Sequence, residues 1–77
     1  MEQILKELMA ELFKMPPDMI TDTLTMRDTE VWDSLKHMEL IVAIEQTFTI
    51  ELTFDEIVAM QTVKDIKHLL QAKGVGE

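Results

Sequence analysis

Cysteine is absent, which excludes disulfides, cysteine-ligated zinc and a protein thiol nucleophile. Glycine and proline number two each, and both glycines, Gly74 and Gly76, sit in the tail. So small a supply of turn formers argues for helices joined by ordered loops rather than a turn-rich β domain. Positive charge is also short: seven Lys and Arg stand against fifteen Asp and Glu, a formal net charge of −8. That balance speaks against a nucleic-acid backbone or an anionic membrane as partner, and favours a basic protein surface. No apolar run in the chain approaches the ~20 residues that span a bilayer. Met1-Glu2-Gln3 lacks the basic start of a signal peptide, so a cytoplasmic protein is expected. With 77 residues, 47% of them hydrophobic, the chain is one globular domain with one core.

Helical periodicity dominates what is present. Ile4, Leu5, Leu8, Leu12 and Phe13 recur at helical spacing, and Pro16-Pro17 stops that helix by removing an amide donor. A long loop follows from Asp18 to Trp32, and loops of this length in small domains are often functional. Ile20, Leu24 and Met26 are expected to pin it to the core. Asp33 is placed to cap a second helix, Ser34 to Phe48, because a carboxylate accepts hydrogen bonds from first-turn amides. Thr53 and Glu56 spell a capping box for a short third helix, and Thr62 with Asp65 opens a last one in a similar way. Val63, Ile66, Leu69 and Leu70 form its buried stripe, and it frays near Gly74. The expected fold is therefore all-α: three main helices plus a short one around a single core.

The second helix carries two apolar stripes. On a wheel of ~100° per residue, Leu40, Ile41, Ile44 and Phe48 make the core face. Leu35, Met38 and Val42 fall almost opposite, flanked by Glu39 and Glu45. Two readings are open: ordinary scattered exposure partly covered by the loop, or an apolar ridge with an acidic rim that docks a partner. Between His37 and Val63 there is no Lys or Arg, so the acidity is regional and surrounds the ridge. Ser34 lies in the first turn, where free amides and the helix dipole favour an anion, although serine there is also ordinary capping.

Asp33, Ser34 and His37 superficially suggest a triad, but no G-x-S-x-G elbow is present and no oxyanion hole is evident. His37 falls toward the core side and reads as structural, as does His68 near the end of the last helix. Trp32 is expected to pack the loop against helix two. Met9, Met15, Met19, Met26, Met38 and Met60 are expected in core gaps and loop contacts. No EF-hand calcium loop occurs, and no metal site is expected.

Asp33-Ser34-Leu35, then Met38-Glu39-Leu40-Ile41 and Ala43-Ile44-Glu45, resemble the modification site and recognition helix of an acyl carrier protein. Phe48, Ile50-Glu51-Leu52, Asp55-Glu56 and Thr62-Val63 fit the same family without a gap, so the resemblance covers essentially residues 1–77 as one carrier domain. It implies a four-helix carrier with no catalysis of its own. Ser34 would receive 4′-phosphopantetheine from coenzyme A through a magnesium-using phosphopantetheinyl transferase, with Asp33 assisting recognition. Leu35, Met38, Glu39, Val42 and Glu45 match positions that dock acyl-loading and acyl-processing enzymes through their basic patches. The chain departs from housekeeping fatty-acid carriers at Val31-Trp32, where they usually have a glycine-containing segment, and at Lys36-His37. These differences suggest a specialised lipid or polyketide-type pathway. A monomer is the expected working form. An aminoacyl or peptidyl carrier, or a helical adaptor in which Ser34 merely caps, are the alternatives.

Overall fold

Three of the four α-helices begin where a short polar side chain meets the free amides of a first turn. The computed structural model describes residues 1–75. Within them α1 spans Glu2–Phe13, α2 Ser34–Phe48, α3 Phe54–Ala59 and α4 Val63–Ala72. Asp33 caps α2 by accepting the Lys36 N–H at 2.8 Å. Thr53 and Glu56 close a reciprocal box on α3, and Thr62 and Asp65 close one on α4. Each satisfies donors that a helix start leaves open, a contribution of about 1 kcal/mol per cap. The all-α expectation of three main helices and one short one is met. At their far ends α1 and α2 stop on left-handed residues, Lys14 (φ 58°) and Thr49 (φ 55°).

Residues from all three main helices build the core. Leu5, Met9 and Phe13 of α1 meet Leu40, Ile41 and Ile44 of α2 and Val63, Ile66 and Leu70 of α4. Ile20, Trp32 and Met60 fill it from the connections, whereas α3 contributes no fully buried residue. Ile4 departs from the expected stripe and is 50% exposed. It lies about 100° round the helix from Leu5, outside the side that Met9 and Phe13 share with Leu5. Met19 and Met38 are exposed as well, so only some of the methionines fill gaps.

The connection between α1 and α2 contains two 3-10 turns, Pro17–Met19 and Met26–Asp28. It is bonded to the start of α4: Met26 N–H donates to the Gln61 carbonyl, Val63 N–H to Leu24 and Lys64 N–H to Asp22. Ile20 is buried, and Leu24 and Met26 pack partly against the core, so these three do hold the loop down.

Lys67 of α4 reinforces this attachment. Its ammonium lies 2.6 Å from Asp22 in the loop and 3.4 Å from Glu2 of α1. The hydrogen bond and charge of Lys67 hold the Asp22 carboxyl below its ordinary value near 3.8. The hydrogen bond that Lys67 donates to Asp22 in turn raises Lys67 above its ordinary value. Because the folded Asp22 value lies below the unfolded one, its contribution is full above the unfolded value and is lost as pH falls through the folded one. Asp22→Asn is therefore expected to lower the urea midpoint slightly at neutral pH. That deficit should shrink as both proteins are titrated well below pH about 4; a deficit that persists in acid would contradict the assignment.

Candidate modification site and docking face

Asp33 and Ser34 divide the work at the start of α2. The Asp33 carboxylate is the cap, and its backbone carbonyl accepts the His37 N–H at 2.8 Å. Ser34 is the first helical residue, one position past the cap. Its side chain is exposed, and its hydroxyl makes no hydrogen bond among the described residues. The Ser34 and Leu35 amides belong to the donors that a helix start leaves without intrahelical partners. A nucleophilic oxygen, open to solvent beside free amides at the positive end of a helix, is well placed for an attached phosphate.

Trp32 fixes the approach to this turn from behind. It is 1% exposed, and its ring centroid lies 5.5 Å from that of Phe13. The indole N–H donates to His37 Nδ1 at 3.0 Å, and His37 Nε2 lies 2.9 Å from the Ile57 carbonyl oxygen. Both expectations for these residues hold: Trp32 packs against helix two, and His37 is buried and hydrogen-bonded.

The second stripe of α2 is open. Leu35, Met38 and Val42 are 67%, 53% and 50% exposed, so the loop does not cover them. Glu39 is exposed beside the stripe and pairs with Lys36 at 3.4 Å, an exposed contact of small energetic weight. Glu45 sits differently, half-buried, with Oε2 accepting the Leu52 N–H at 2.9 Å. It shapes the turn into α3 besides contributing negative charge. Phe54 and Val58 of α3 are also largely exposed. Sequence reasoning missed them, because a six-residue helix is too short to display a second stripe.

Among the described residues no group of three or more His, Asp or Glu could hold a metal ion. No described helix is long and apolar enough to cross a membrane. A cavity of about 290 Å³ between α3 and α4 is lined by Ala59, Met60, His68 and Leu69 together with Asp55, Glu56 and Asp65, and Ser34 takes no part in it.

Comparison with known proteins accounts for this arrangement. The family model described as phosphopantetheine attachment site matches residues 3–70. The chain belongs to that family. An acyl carrier protein of Bdellovibrio bacteriovorus is 29% identical over 69 residues, covering 90% of this chain and 88% of that protein. Members of the family carry 4′-phosphopantetheine covalently and are carriers rather than catalysts. As carriers they interact with transferases and acyl-processing enzymes. The residues at the head of α2 fit such a group, because the serine oxygen is unengaged and the cap is made by its neighbour.

The division of labour between Asp33 and Ser34 has a measurable signature. Asp33→Ala removes the cap and is expected to cost about 1 kcal/mol in urea unfolding, with Asp33→Asn close to the parent. Ser34→Ala is expected to change stability by less than about 0.5 kcal/mol, since no hydrogen bond is lost. A large loss in Ser34→Ala would mean that the hydroxyl has a structural task.

Proposed function

We propose that Ser34 carries the 4′-phosphopantetheine arm and that the open face of α2 delivers it to partner enzymes. The observation that carries this reading is the unengaged Ser34 hydroxyl at the first helical position, with capping left to Asp33. Asp33 then assists recognition by the transferase, next to the oxygen that accepts the group from coenzyme A. Once attached, the arm supplies a terminal thiol that holds an acyl group as a thioester. Leu35, Met38 and Val42 give partners an apolar contact, and Glu39 and Glu45 attract the basic patches around their entrances. A small ridge with a screened charged rim favours encounter without slow release, and the tether keeps the cargo at high effective concentration.

The working form is a monomeric, cytoplasmic carrier domain spanning residues 1–77. Val31-Trp32 and Lys36-His37 support a specialised lipid or polyketide-type pathway. They replace the usual glycine-containing approach with a packed indole, and they reduce the negative field beside the attachment point.

Incubation with coenzyme A, magnesium and a broad-specificity phosphopantetheinyl transferase is expected to add one phosphopantetheine by intact mass, and none in Ser34→Ala. No gain in a folded sample with several transferases would overturn the assignment.

The docking face is checked separately. Leu35→Ala and Val42→Ala are expected to raise the transferase KM by about tenfold or less, with kcat nearly unchanged. Unchanged KM in both would remove the ridge from the reading.

A further inference from the structure

His37 is the one buried residue with a polar or charged side chain among the described residues, and both of its ring nitrogens are engaged. The indole N–H of Trp32 can only donate, so His37 Nδ1 is the acceptor of that 3.0 Å bond. The ring proton therefore resides on Nε2, which donates to the Ile57 carbonyl at 2.9 Å. One neutral tautomer satisfies both contacts, and no other does.

The two ends of this relay are the points that matter for a carrier. Trp32 is separated from Ser34 only by the capping residue Asp33. Ile57 lies in the middle of α3, the one α-helix among the described residues with no buried residue. The Glu56 side chain also pairs with Lys73, the residue that follows α4, at 2.9 Å, but both side chains are partly exposed and such a pair contributes little. The Ile57 side chain is partly buried and packs against the core, a contact without direction. The His37 bond is thus a directed, partly buried link between α3 and the segment that bears Ser34. An apolar residue could fill the volume, but it would leave the buried indole N–H without its acceptor and the Ile57 carbonyl with only the 3.3 Å bond from the Met60 N–H.

We propose that His37 is a positioning residue. It locks the Ser34 segment and α3 into one body, so that an enzyme gripping α2 and α3 meets the Ser34 oxygen at a fixed place. Trp32 is the near half of the same device, held in the core by Phe13. The functional part of this inference rests on Ser34 as the attachment residue; the mechanical part does not.

Two conservative variants separate the halves of the relay. His37→Gln puts an amide N–H near the Nε2 position and keeps the bond to Ile57. His37→Asn puts its oxygen near Nδ1 and keeps only the bond from Trp32. Amide hydrogen exchange, corrected for each variant's global stability, is expected to quicken by about tenfold in α3 of His37→Asn, with α1 and α4 unchanged. His37→Gln is expected to retain the parent's protection. Transferase kcat/KM should fall severalfold in His37→Asn and recover in His37→Gln. Trp32→Phe, which breaks the same bond as His37→Gln and leaves an aromatic ring in the core, should likewise keep kcat/KM close to the parent's. Equal α3 exchange in the Asn and Gln variants, or exchange that rises uniformly across the helices, would overturn the proposal. So would a kcat/KM that ignores a loosened α3. If Ser34 is not the acceptor, the parent protein itself gains no mass, while the exchange comparison still decides whether His37 couples the two segments.

Discussion

The burial of Trp32 is the constraint on which the rest of the structure depends. A long connection must return from the end of α1 to the start of α2, and its last residue before the cap is the only indole in the chain. An indole buries on the order of 200 Å², and this one is closed between Phe13 of α1 and His37 of α2. The contact fixes where α2 begins, and so where Asp33 caps and where the Ser34 oxygen points. It also delivers a polar N–H into the core, which His37 accepts. Satisfying His37 in turn draws in the carbonyl of α3.

Negative charge is divided between two tasks. Asp33, Glu56 and Asp65 close helix starts, Glu45 holds the turn after α2, and Asp22 clamps the loop to Lys67. Asp22, Glu56 and Asp65 are committed to the fold, while Asp33 and Glu45 serve it and, in the proposed reading, partners as well. Glu39 and the other exposed acids remain to set the outer field. A chain with so few cations gains twice from this division. Its own helices are capped, and what is left is of one sign and repels copies of itself.

Much of this was legible in the order of residues, because the signals are local. A Thr-x-x-Glu box or an Asp before an amphipathic run acts within one turn, so α2, α3 and α4 start where the spelling says. The two stripes of α2 were legible for a similar reason: helical periodicity assigns faces without knowledge of neighbours. What depends on neighbours was not legible. Ile4 fits the period of α1 but misses its buried side. The pairing of Thr25 with Thr62 joins segments far apart in sequence. His37 could be placed toward the core, yet its partner on α3 could not be named, because Ile57 contributes a backbone oxygen that any residue would supply. The exposure of Phe54 escaped for want of helix length.

The left-handed residues at the ends of α1 and α2 bear on how hardy the domain is. Lys14 and Thr49 occupy a conformation in which a side chain costs about 1–2 kcal/mol, and Thr49 is β-branched as well. Glycine is at home there, yet it is absent from both positions. The molecule therefore leaves stability unclaimed at two sites far along the chain from Ser34. Such slack is what selection leaves in a protein held only to a threshold. A shuttle gripped briefly by several enzymes has no need to be hardened beyond it.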